Sequence, residues 1–285
     1  AAGIAYGQML LMRSGESNAF EETDEGREAM RQAALRLRRG LGARPSPLTV
    51  GDAQVQIEFL PEEGRRNINH MTEEDWELVF AVGRVPQELW PEMIDALFDW
   101  TDGNDLRRLH GAESDDSFYQ ERGYKVKNAP LDSIEELLWI KGFERHFVLG
   151  GAGPDKEEDP YPGFAHLLTV WGDDNRVNIN TAIRDVLLTL PGVLEETVDE
   201  IILLRAGLDG EKDTEDDGFQ NVQDALAQIG IVDPAFQERV GVGGHRFVRL
   251  TSLAEVDGVR AGIWAILSLG ERGVVPVYWR EEPLP

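Results

Sequence analysis

The sequence predicts an α+β fold: a small antiparallel sheet shared by the two ends of the chain and interrupted by a large all-α insertion. Three observations predict it. Val55, Ile57 and Phe59 alternate with Gln54, Gln56 and Glu58, the period-two signature of a strand buried on one face. After Pro61 the apolar residues recur at three- and four-residue spacing and keep that period to about residue 240. Three runs rich in Val, Ile and aromatics then close the chain, and the single early strand needs them as partners. The expected units are residues 1–60, a helix and the first strand; 61–240, the helical insertion; and 241–285, the remaining strands.

Along Phe20–Leu41 the positions Met30, Ala33, Ala34, Leu37 and Leu41 share one helical face. Glu21, Glu22, Asp24 and Glu25 lie toward the start of that helix and Arg36, Arg38 and Arg39 toward its end, the order that the helix dipole favours. Gly40, Gly42, Pro45 and Pro47 stop it before the strand. In the insertion, Trp76, Val79 and Phe80, then Leu89, Met93, Ile94 and Leu97, then Ile134, Leu137, Leu138 and Ile140 form successive apolar faces separated by Gly or Pro.

Two of its segments read as helix-hairpin-helix-like units: Ser133–Phe143, turning at Gly142, and Asn180–Arg205, turning at Pro191 and Gly192. Glu195, Glu196, Asp199 and Glu200 follow the second turn, so its glycine is expected to serve helix packing and not phosphate binding. The late strands are expected at Phe247–Leu253, Gly262–Leu269 and Val274–Trp279, with turns at Asp257-Gly258 and Glu271-Arg272-Gly273.

Composition narrows the function. Lys and Arg number 28 against 53 Asp and Glu, a formal net charge of −25 that repels nucleic acid and anionic membranes and attracts cations and basic surfaces. The absence of cysteine excludes disulfides and thiol chemistry. His70, His110, His146, His166 and His245 have no zinc-ligand spacing. The glycines at 150, 151 and 153 are followed by acids and no Lys-Ser/Thr pair, so they form no phosphate cradle, and no G-x-S-x-G elbow occurs.

Chemistry concentrates in acidic loops. Asp99, Asp102, Asn104 and Asp105 fall around Gly103, and Glu113 follows after a short connection. Carboxylate and amide oxygens at such spacing suit a hard divalent cation, and calcium, which takes six to eight oxygens, is the first candidate as a structural cofactor. The pattern does not match an EF-hand, and the same residues also suit a solvated acidic loop. Asp209, Asp213, Asp216 and Asp217, with Gly210 and Gly218, form a second candidate loop. Pro154–Pro160 reads as an exposed extended loop without metal. At the start, Ala1–Met12 carries no charge but is shorter than the about 20 residues a membrane-spanning helix needs, and it lacks the basic segment of a signal peptide.

The ordered blocks D-W-T-D-G-N-D, G-A-E, K-N-A-P-L-D-S-I-E-E-L and V-N-I-N-T-A, between Glu62 and Ala182, resemble the K-type minor pseudopilins of bacterial type II secretion systems. That resemblance implies a pilin-like body, in which the N-terminal helix packs on the sheet, and a helical insertion at the tip of a short periplasmic pseudopilus. It further implies a non-enzymatic role in protein secretion. The implied partners are other minor pseudopilins, met through the N-terminal helix at Ile4, Met9 and Leu11, with secreted proteins as further contacts and no nucleic acid. Membrane anchorage before assembly would run through an inner-membrane span missing from this chain. Read without the resemblance, the residues also suit a calcium-dependent extracellular binding module or a hydrolase built on paired acids.

Overall fold

The computed structural model describes residues 31–283 apart from positions 34, 38, 46, 51, 155, 211–213, 215, 244–245 and 271–272. Ala1–Met12 and the first part of the expected N-terminal helix, residues 20–30, lie outside the described residues. Residues 31–33 and 35–37 are helical and form helix α1.

One open antiparallel sheet carries β1 (Leu48–Val50), β2 (Ala53–Pro61), β3 (Phe247–Val256), β4 (Val259–Gly270) and β5 (Gly273–Pro283), side by side in that order. The early strand pairs with the late ones as expected: Val55 faces Ala254, Ile57 faces Ser252 and Phe59 faces Leu250. The residues that alternate in the sequence therefore share one buried face with Val248, Leu250, Ala265 and Leu267, onto which Ala33 and Leu37 of α1 pack. Full burial of a side chain such as Phe59 or Leu250 contributes about 1.5–3 kcal/mol. β1 was not legible in the sequence, because three residues hairpinned onto β2 are too few to show a period. The late strands outrun their apolar runs, since backbone pairing continues through the polar Arg280–Glu282 end.

The insertion leaves the sheet at Pro61 and returns at Phe247, and the neighbouring Val248 is the register partner of Pro61. Glu62, fully buried at this crossing, accepts from Arg65 at 2.9 Å, Arg249 at 2.6 Å and Thr169 at 2.5 Å. Among the described residues eight α-helices follow: α2 (Glu73–Val82), α3 (Trp90–Thr101), α4 (Ser117–Arg122), α5 (Arg145–Leu149), α6 (Arg184–Leu187), α7 (Glu195–Leu204), α8 (Val222–Ile229) and α9 (Pro234–Arg239). The buried apolar residues of the insertion, from Ile68 to Val240, form a cluster separate from the sheet's.

The insertion is not all-α. Arg66–Asn67 pairs in parallel with Leu168–Thr169, and Val177–Asn178 with Val240–Gly241, so short strands tie its ends together. Where an exposed loop was expected at Pro154–Pro160, Lys156–Tyr161 is a strand that pairs with Gly151–Gly153. Only glycine fits at 153, where a Cβ would stand 2.6 Å from the Tyr161 ring. In the first hairpin-like segment Ile134–Trp139 is a 3₁₀ helix, and Gly142, at φ +86°, turns the chain toward α5. Gly192, at φ +70°, makes the corresponding turn between α6 and α7. No described helix is long and apolar enough to cross a membrane.

Candidate functional site

The acidic loop after α3 is shaped by its own short-range hydrogen bonds. Asp102 ends the helix, and its Oδ1 accepts from Asn104 N at 3.0 Å; Asn104 Oδ1 in turn accepts from Leu106 N at 2.8 Å. The chain then folds back over the helix, so that Arg108 N donates to both oxygens of Asp99, at 3.1 and 3.2 Å, and His110 N to Asp95 at 3.0 Å. Gly111 makes this return possible, because a Cβ there would stand 2.0 Å from Asp99 Oδ2. Arg107 and Arg108 are spent on the rim, pairing with Asp115 and with Glu73 and Asp95.

Behind that rim the charge is not balanced. Glu113 is 4% exposed, and neither of its carboxylate oxygens has a hydrogen-bond partner. Burial raises its pKa, and the nearby Asp99, Asp105 and Asp102 raise it further, against a lowering effect of the adjacent Ser114 backbone N–H. Burial also raises the pKa of Asp99, against the lowering effect of the Arg108 and Ala112 backbone N–H groups. Asn128, at φ +50°, donates through Nδ2 to Asp105 at 3.0 Å and holds its Oδ1 buried without a donor. Two orphaned oxygens on Glu113 and one on Asn128 thus lie buried among carboxylates, the donor chemistry of a hard cation. Among the described residues no three His, Cys, Asp or Glu side chains already form a compact ligand set. The sequence singled out Asp99, Asp102, Asp105 and Glu113, and the fold brings the other three within electrostatic reach of Glu113. Asn104 is exposed and occupied with its own turn. Asn128 escaped notice as a ligand because it lies far along the chain; its contact with Asp105 spans 23 residues.

The second acidic loop is organised differently. Asp213 lies outside the described residues. Asp217, buried, pairs with Arg36 of α1 at 2.9 Å, and its carbonyl accepts from Arg39 at 2.5 Å. Asp216 accepts from Leu208 N at 2.6 Å and Thr214 Oγ1 at 2.9 Å. Here arginines of the N-terminal helix supply the positive charge, so the loop couples α1 to the insertion. Asp209 joins the same cluster through its backbone N–H, which helps to hold the pKa of Asp216 down. Ile4, Met9 and Leu11 lie outside the described residues.

Residues 64–149 match the family model of protein K of the type II secretion system. The chain resembles K-type minor pseudopilins. The matched segment holds the whole of the first acidic loop, from Asp99 to Asn128, and none of the second. A chain of the GspK–GspI–GspJ complex from the enterotoxigenic Escherichia coli type 2 secretion system shares the fold, with a TM-score of 0.64 at 16% identity over 91% of this chain and 94% of that one. No curated protein matches the sequence. With 91% of this chain covered, the likeness extends over sheet and insertion alike.

Proposed function

We propose that the chain is a non-enzymatic minor pseudopilin-like subunit at the tip of a type II secretion pseudopilus, with the sheet and N-terminal helix as its pilin-like body. The match of residues 64–149 to protein K carries the reading, and the fold likeness to a chain of the GspK–GspI–GspJ complex supports it over nearly the full length. Its partners in this proposal are counterparts of GspI and GspJ, met through the apolar N-terminal segment in the periplasm. An uncharged, apolar segment of this kind is commonly buried against a partner in assemblies. Changing Ile4, Met9 and Leu11 together to serine should abolish co-purification with the GspI and GspJ counterparts while leaving the circular dichroism spectrum unchanged. Undiminished association of the triple variant would remove the helix from the interface.

Calcium is the structural cofactor of the first acidic loop in this reading. Asp99, Asp102, Asp105, Glu113 and Asn128 would hold it, and its charge would neutralise the buried carboxylates and fasten the loop to α3. The orphaned oxygens of Glu113 support the assignment. The proposal rests on this loop because Asp217 of the second already has a guanidinium partner.

An ion that binds only the folded chain stabilises it by RT ln(1 + [L]/Kd), about 1.4 kcal/mol at a free concentration ten times Kd. With dissociation constants of about 10⁻⁴–10⁻³ M for extracellular calcium modules, several millimolar calcium should raise the melting temperature by about 3–5 °C. Magnesium should do less, since it keeps its waters and demands a strict octahedron. Glu113→Gln should abolish the calcium response and, by removing an uncompensated buried charge, leave the chelated protein no less stable than the parent. An equal calcium response in parent and variant would dismiss the site.

A further inference from the structure

A cleft of about 320 Å³ opens where α1, the sheet and the insertion meet. Arg36 and Leu41 form one wall, Arg44, Glu58 and Leu60 the second, and Ile202 and Arg205 the third. Two of its three guanidiniums are paired within the chain: Arg36 with Asp217 at 2.9 Å and Arg44 with Glu58 at 2.5 Å. Arg205, at the C-terminal end of α7, has no carboxylate partner among the described residues. Its Nη1 donates to the carbonyls of Ile179 at 3.1 Å and Ala182 at 2.6 Å, which fix the plane of the guanidinium. The Nε and Nη2 groups have no acceptor among the described residues and are not sealed from solvent. Burial lowers the pKa of this arginine, and no neighbouring acid opposes the effect.

From this juxtaposition we infer that the cleft is a receptor for a glutamate or aspartate side chain of an acidic protein segment, which Arg205 takes through its Nε–Nη2 edge. A planar guanidinium held by one nitrogen presents its other edge as the two-pronged donor that a carboxylate fits, and a partly desolvated guanidinium gains more from that pairing than an exposed one. Charge favours the same occupant. Three guanidiniums face two paired carboxylates here, a local positive excess in a chain of formal net charge −25. Leu41, Leu60 and Ile202 supply apolar walls for the methylene stem. The volume lies at the lower end of the about 300–1,000 Å³ of ligand pockets, which suits one side chain and its flanks better than a cofactor. A side chain bound there would touch all three parts of the molecule at once and so fix α1 relative to the insertion. The inference depends on neither the calcium site nor the family likeness.

The test is an NMR titration of the intact chain, following the Arg205 Nε–H resonance and the backbone amides of Ala43 and Thr181. Three probes are used: the blocked peptide acetyl-Leu-Glu-Leu-amide, its Gln counterpart, and inorganic phosphate. The Glu peptide should give saturable shifts at all three positions, and the Gln peptide none. Arg205→Gln should weaken the response of the Ala43 and Thr181 amides by about tenfold or more, the loss of one charge-assisted contact. Arg205→Lys, which keeps the charge and lacks the fork, guards against a variant that fails to fold and should also bind more weakly than the parent. Unchanged titration in both variants, no saturable shift with the Glu peptide, or a response to phosphate without one to the peptide would each overturn the assignment.

Discussion

Replacing Asp75 by alanine is expected to destabilise the insertion by about 3–5 kcal/mol, the cost of removing one partner from a buried ion pair. Asp75 is 1% exposed and Arg66 fully buried, and their side chains meet at 2.5 Å. The same carboxylate accepts from Arg239 at 3.1 Å, Asn175 at 2.6 Å and the Thr72 backbone N–H at 2.9 Å, where it completes the capping box of α2. One side chain thereby joins the start of the insertion, its first helix, the loop before Val177–Asn178 and the last helix. Without it, Arg66 would keep its bond to the Thr189 carbonyl at 2.6 Å and lose its counter-charge, with its Nε already unpartnered.

The pair also sets an acid limit. Burial on its own would raise the pKa of Asp75, but the Arg66 guanidinium, the Thr72 N–H and Arg239 outweigh it and bring the value from 3.8 down to about 2. A folded-state pKa below the unfolded one contributes stability that is complete above about pH 4 and is lost as the pH falls through about 2. At about 1.36 kcal/mol per pH unit the loss is on the order of 2 kcal/mol. Urea denaturation at pH 7, 4 and 2 measures both effects. The parent should lose stability between the two lower values, and Asp75→Asn should lose about that much less over the same window. A denaturation midpoint at pH 7 that does not move in Asp75→Ala would show that the network contributes nothing net.

The next residue carries the second large effect. Trp76→Ala should cost about 3–5 kcal/mol, the transfer and cavity loss of a large aromatic removed from a close-packed core. Trp76 is fully buried, and its ring centroid lies 5.5 Å from Phe80, 6.0 Å from Phe143 and 6.4 Å from Phe164. Edge-on and tilted aromatic pairs add about 0.5–1.5 kcal/mol each beyond the area they bury, so α2, the turn after Gly142 and the segment at Phe164 are held by one cluster.

Because the apolar clusters of the insertion and the sheet are separate, the damage should be local. Hydrogen exchange read by mass spectrometry should show lost protection within Ile68–Val240 and retained protection along β3 and β4. Uniform loss across both would mean that the crossing at Glu62 makes the two cores one cooperative unit. The Glu62 contacts to Arg65, Arg249 and Thr169 are the bonds through which such coupling would pass.

Sequence alone determined those features whose cause is local. The alternation at Gln54–Phe59 is a period of two and required a half-buried strand; the spacing of Ala33 and Leu37 required a helix face; the turn glycines 142 and 192 were visible because a positive φ is cheap only there. The crowding of Asp99, Asp102, Asp105 and Glu113 was legible for the same reason, as were the blocks that carry the K-type resemblance. Tertiary structure alone decided which charges would be compensated. Arg36 reaches the Asp217 loop across 178 residues, Asp75 collects Arg66 from nearby and Arg239 from 164 residues away, and Glu113 and Arg205 are left without a counter-charge among the described residues. No pattern of neighbours along the chain encodes that difference. Backbone periodicity follows from bonds between residues two to four apart, whereas the partner of a buried charge depends on which distant segment the packed cores bring against it.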